Sequence, residues 1–175
     1  MKHELEKKLF DAYPKIFRQK DLPMTETCMC WGIDCGDGWY DIIDTLCHSM
    51  QNRIDWHNRF YRDEPKLDQI EATQVKEKFG GLRFYTHGSD EHCEGMIRLA
   101  EALSFKICEE CGSPGKPNSK GWVSTLCDPC RAKQIEIKKK KWAESVEKFD
   151  VMKSSEEEEH GLSNDWDVTS TGEQK

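Results

Sequence analysis

Nine cysteines stand in a chain of 175 residues, and four of them have a spacing that can do chemistry. Cys108-Glu-Glu-Cys111-Gly and Cys127-Asp-Pro-Cys130 are two Cys-x-x-Cys pairs with fifteen residues between them. Two residues between cysteines let one tight turn aim both sulfurs at a point, while backbone amides donate to the thiolates. Gly112 supplies the left-handed residue that often follows such a turn. Two turns of this kind bring four soft thiolates into a tetrahedron with bonds of ~2.3 Å, a closed zinc site. The spacing therefore predicts a zinc ribbon at 105–130, with Cys108, Cys111, Cys127 and Cys130 as ligands and zinc as the cofactor. Such a site keeps no open coordination position, so it is expected to be scaffold or binding surface rather than catalyst. A redox role is disfavoured, because a redox pair needs no second pair at this distance.

The other reactive residues are sparser. Cys28, Cys30 and Cys35 place three thiols within eight residues, in a spacing that matches no common zinc pattern. Buried apolar thiols are the favoured reading. The alternatives are a second metal, with a fourth ligand from Cys47, His48, His57 or Cys93, and a reactive thiol. His57, His87 and His92 are scattered. His92 and Cys93 are no dyad, since consecutive helical residues point in different directions. His57-Asn58 resembles a fragment of an HNH nuclease, but the histidine pair and its context around the cysteines are absent. No phosphate-binding glycine loop is present. No catalytic residue is nominated, and the reading leans non-enzymatic.

Charge is unevenly spread. The chain carries −7 overall, with a mean hydropathy of −0.84. From Asp150 onward eight acids oppose only Lys153 and Lys175, so that segment holds −6 of the total. The nearly neutral body lacks the broad basic field of a dedicated duplex-DNA binder. The local exception is Lys138–Lys141. No stretch approaches the ~20 apolar residues of a membrane span, and the charged N-terminus lacks the apolar core of a signal peptide. A reducing cytoplasm is the expected location, where cysteines bind metal or stay free.

These residues must be positioned by a scaffold. Leu5, Leu9 and Ala12 recur at helical spacing in a first helix over 3–17 that Pro14 ends or kinks. Residues 18–38 look irregular. Asp37 is the expected cap of a helix over 39–60 striped by Trp39, Ile42, Ile43, Leu46, Met50, Ile54 and His57. Glu71–Phe79 and Leu82–Thr86 read as a hairpin turning at Gly80-Gly81. Ser89 is the expected cap of a helix over 90–104. Asp128 and Pro129 open another helix, on which Ala132, Ile135, Trp142, Val146 and Phe149 share a face. The Glu-, Ser- and Gly-rich end reads as a disordered acidic tail.

Met24-Thr-Glu-Thr-Cys28, Cys35-Gly-Asp-Gly-Trp39, Gln74-Val-Lys-Glu-Lys-Phe-Gly-Gly-Leu-Arg-Phe84-Tyr85 and Cys108-Glu-Glu-Cys111-Gly-Ser-Pro-Gly115 through Thr125-Leu-Cys127 carry a resemblance. Over about residues 10–131 the chain resembles a group of uncharacterised bacterial and phage proteins. The resemblance implies a shared zinc ribbon and a bacterial or phage origin, and no mechanism.

The expected fold is α+β: a core domain over 1–104, the zinc ribbon over 105–130, a basic amphipathic helix over 131–150 and the tail over 151–175. The expected function is a non-enzymatic interaction protein that binds a protein partner, with Trp142, Val146 and Phe149 as partner-binding residues. An inhibitor or modifier of a host system fits that reading. The alternative is a nucleic-acid-binding accessory or regulatory protein.

Overall fold

The computed structural model describes residues 1–118 and 121–160, without the side chains of 149–160. Met1–Arg131 form one compact unit and the chain from Ala132 a second. The cysteine segment 105–130 therefore shares a unit with the core.

The first unit is a mixed α+β structure, as expected. Helix α1, His3–Ala12, stops two residues before Pro14, sooner than expected. Short 3₁₀ turns follow at Arg18–Asp21, Met29–Trp31 and Asp37–Trp39. Strand β1, Ile33–Asp34, lies among them. Helix α2 spans Tyr40–Phe60, strand β2 Glu71–Lys78, strand β3 Gly81–His87 and helix α3 Glu91–Ser104. The sheet order is β1-β2-β3, with β1 parallel and β3 antiparallel to β2. The expected hairpin is thus part of a three-stranded sheet. Strand β1 escaped sequence reasoning because two residues cannot display a period of two.

Local chemistry moved three expected features by a residue or more. The hairpin register pairs Lys78 with Gly81, which makes Phe79 and Gly80 the turn residues, not Gly80 and Gly81. Both have positive φ, 53° and 78°, as a two-residue turn that follows strand twist requires. Gly81 is needed for another reason: a Cβ there would run into the Phe105 ring. The cap of α3 is Asp90 rather than Ser89; its carboxylate accepts from Cys93 N at 2.8 Å and takes a guanidinium bond from Arg53 Nε at 3.0 Å. Asp37 does not cap α2. It accepts from the Lys2 amide at 2.7 Å and pairs with the Lys2 ammonium, tying α1 to the turn.

One face of the sheet, with α2 and α3, encloses the core. Val75, Leu82 and Phe84 meet Ile43, Leu46 and Met50 of α2 and Ile97 of α3, with Trp39 fully buried among them. The outer edge of β3 is closed by α3: Leu82 N donates to Ser104 Oγ at 2.8 Å and Phe84 N to Glu101 Oε1 at 3.1 Å. Those amides would otherwise invite another strand.

Helix α4 spans Asp128–His160, ten residues beyond the expected end at 150. Lysines and glutamates are good helix formers and sustain a helix without a core. The rest of the expected acidic tail, 161–175, lies outside the described residues.

Two outcomes follow in urea denaturation. Gly81→Ala should cost about 1–3 kcal/mol, because the new methyl overpacks against Phe105. Gly95→Ala, on an α3 face with open space, should gain up to about 1 kcal/mol. A third outcome concerns pH. Burial would raise the Asp90 pKa, but the Arg53 guanidinium and the Cys93 amide outweigh it and hold the carboxyl well below its ordinary 3.8. A depressed folded pKa adds stability above the unfolded value and loses it as pH falls through the folded one. Asp90→Asn should therefore cost about 1 kcal/mol at neutral pH, and the gap to the parent chain should close in acid.

Candidate metal centre

The four expected cysteines converge. The sulfurs of Cys108, Cys111, Cys127 and Cys130 all lie within 4.8 Å of one another, and Cys111 and Cys127 sulfurs are 3.6 Å apart. A tetrahedron with ~2.3 Å bonds places its sulfurs ~3.8 Å apart, so the spacing suits a metal ion. None of the four is in a disulfide.

Backbone hydrogen bonds build the cluster. Gly112, at φ 76°, donates to Cys108 O at 2.9 Å, and Cys108 N donates to Ser113 O at 2.7 Å, which closes the first turn. Strands β4, Lys116–Pro117, and β5, Thr125–Leu126, pair antiparallel and return the chain to it. Glu109 N donates to Thr125 O at 2.9 Å and fixes the first turn against β5. Cys130 comes from the first turn of α4, where Arg131 N donates to Cys127 O at 3.0 Å.

Sequence reasoning missed what holds this module. Gly38 N donates to Glu109 O at 2.7 Å, Gly36 N to Glu109 Oε1 at 3.0 Å, and Trp39 Nε1 to Ile107 O at 2.9 Å. A Cβ on Gly38 would overlap Cys108 O and press on the Cys111 amide nitrogen at 2.7 Å; one on Gly36 would overlap Glu109 O. From the other side Thr125 Oγ1 donates to Gly80 O at 2.6 Å. The Cys-Gly-Asp-Gly-Trp and Phe-Gly-Gly stretches are therefore the seats of the cysteine turns. The available signal was a pair of glycines around Asp37 in a stretch that needs no positive φ at either.

The thiols differ in acidity. Burial pushes Cys108 up, against the pull of the Cys127, Cys111 and Glu110 amides. Exposed Cys111 drops to about 6, first through the Ser113 hydroxyl and then its amide. Cys130 is pushed up, first by its hydrogen bond with Cys127. Protons are thus shared unevenly in the cluster. A divalent cation would replace them and hold all four sulfurs as thiolates.

Other candidates disperse. Cys28 is exposed, Cys30 is half-buried and donates to Thr27 O at 3.2 Å, and Cys35 is buried. Burial pushes the Cys35 thiol up to about 12. Among the described residues only the 108/111/127/130 group could hold a metal. His57 Nε2 lies 3.0 Å from Pro65 O, and Asn58 clasps the Leu67 backbone with bonds of 3.0 and 2.8 Å. This His-Asn pair fastens the loop after α2. On α4, Ile135, Trp142 and Val146 are 49%, 74% and 42% exposed, and Lys138–Lys141 are all exposed. The Phe149 side chain lies outside the described residues. No helix among the described residues is long and apolar enough to cross a membrane. No family model, curated protein or solved structure matches the chain.

Because the turns seat on the core through backbone, the metal and the core should fail together. Gly38→Ala should weaken metal retention and lower the melting temperature in one step. Chelation of the parent chain should shift the fluorescence of buried Trp39, whose indole nitrogen reports the seam. Metal loss without any change in melting temperature would contradict this coupling.

Proposed function

We propose that the ion is zinc, that it is structural, and that the chain is a non-enzymatic interaction protein of bacterial or phage origin. The convergence of four thiols and no other donor carries the zinc reading. An all-sulfur set favours a soft, borderline cation, and four-coordinate zinc with thiolates has no site left for substrate. The expected protein partner is supported by α4. Trp142 stands 74% exposed between Ile135 and Val146 on one helical face, and an apolar helix face is a ready docking element. Tryptophan is among the residue types enriched at the energetic centres of interfaces.

A second reading, a nucleic-acid-binding accessory protein, is favoured by the exposure of Lys138–Lys141.

Metal analysis of the purified chain should give one zinc per chain, and Cys111→Ser should release it. Trp142→Ala should abolish association with the protein partner recovered from host lysate while leaving the melting temperature unchanged. A melting temperature that falls with Trp142→Ala would instead make the residue part of the core.

A further inference from the structure

The hairpin has a second face. Its register sends Val75, Leu82 and Phe84 into the core. Side chains alternate along a strand, so Gln74, Lys76 and Lys78 of β2 and Gly81, Arg83 and Tyr85 of β3 take the opposite face. The cross-strand partners agree: Gln74 faces Tyr85, Lys76 faces Arg83 and Lys78 faces Gly81. These six positions hold three cations and no carboxylate, in a chain with a net charge of −7. The carboxylate nearest in register is Asp34 of β1, opposite Lys76 at the far edge. The half-buried Arg83 guanidinium donates to Leu82 O at 2.6 Å and lies 5.9 Å from the Phe105 ring centroid, and these contacts hold it along the sheet.

The turn adds a ring that folding does not explain. Phe79 sits at φ 53°, where asparagine or glycine is favoured, and a bulky residue there is strained. Its ring is 71% exposed, with Lys78 Nζ 5.6 Å from the centroid. Strain kept at a side chain that buries little points to use rather than stability. A second ring stands close by along the chain. Val123 closes on the turn, its Cγ1 2.9 Å from where a Cβ on Gly80 would sit. Its neighbour Trp122 is 79% exposed. Tyr85, at 41%, is an exposed ring of the same hairpin.

We propose that this face binds single-stranded nucleic acid. Phe79, Tyr85 and Trp122 stack on unpaired bases, and Lys76, Lys78 and Arg83 meet the phosphodiester backbone. Every unpaired base offers a π face, whatever its identity, and arrays of exposed rings among cations recognise strands in this way. A duplex hides those faces in its own stack. The proposal deepens the nucleic-acid reading but rests on the sheet, and changing Lys138–Lys141 separates the two.

The test is fluorescence anisotropy on the full metal-loaded chain with labelled oligo-dT and oligo-U of about twelve nucleotides, and with a duplex of the same length, between about 50 and 200 mM salt. At least one unpaired oligomer should bind, the duplex at least about tenfold more weakly; the dT and U arms tell DNA from RNA. Phe79→Gly should cost about tenfold in affinity, while the melting temperature holds or rises because the turn strain is relieved. Lys78→Ala with Arg83→Ala should weaken binding and flatten the salt slope by about 1.4, at ~0.7 per phosphate contact. Changing Lys138–Lys141 to glutamine should leave the affinity unchanged. Failure of both oligomers to bind, equal binding of the duplex, or binding indifferent to the Phe79 and Lys78/Arg83 changes would overturn the proposal. Loss of binding only when Lys138–Lys141 are changed would overturn it in favour of the helix.

Discussion

Gly38 lies with its Cα against the carbonyl of Cys108, where no side chain fits. Three hydrogen bonds cross the same seam, from the Gly36 and Gly38 amides and the Trp39 indole to Glu109 and Ile107. Backbone meets backbone here because the cysteine turn must already present its carbonyls and amides in one arrangement. A metal ion that fixes Cys108 and Cys111 fixes that arrangement. The burial of Trp39, the start of α2 and the link from Asp37 to Lys2 of α1 all hang from the same stretch of chain. An ion held by the four cysteines would thus act on the whole of Met1–Arg131, although those cysteines span only residues 108–130.

The sheet shows how three strands can suffice for this unit. Strand β1 adds two register pairs, and helix α3 answers the free amides of β3 with Ser104 and Glu101. The turn is gripped by Thr125 from the cysteine module. The amides of Leu82 and Phe84 and the carbonyl of Gly80 are met by elements that also bury apolar surface, so hydrogen-bonding and packing requirements are satisfied there by the same contacts. No buried side-chain nitrogen or oxygen among the described residues lacks a partner.

Much of this was legible in sequence, and what was not has a common cause. The four cysteines declare themselves by spacing, α2 and α3 by apolar period, and β2 and β3 by their flanks. These are local signals, each carried within a dozen or so residues. The seat at Gly36–Gly38, strand β1 and the need for Gly81 depend on atoms far along the chain: Cys108 for the first, Val75 for the second and Phe105 for the third. A glycine required by a distant neighbour looks in sequence like a glycine required by its own turn. That is why the hairpin turn was placed one residue too late. Asp37 misled for the same reason, since a carboxylate before a helix reads as a cap until the Lys2 amide is seen beside it.

The hairpin also separates stability from recognition within a single pair of strands. Alternation commits Val75, Leu82 and Phe84 to the core and sends Lys76, Lys78, Arg83 and Tyr85 to the other face, where Lys78 and Tyr85 are exposed and Lys76 and Arg83 half-buried. Substituting the second set removes charge and ring surface without opening a cavity, because none of these side chains fills the core. Phe79 goes further, since its bulky side chain is strained by the left-handed backbone that its turn position requires. A core residue under that strain would lose to a better turn former, unless its ring returned the cost through burial. At this position burial returns little and the nearby Lys78 ammonium lies 5.6 Å from the ring centroid, which is why the ring is assigned to recognition rather than to the core.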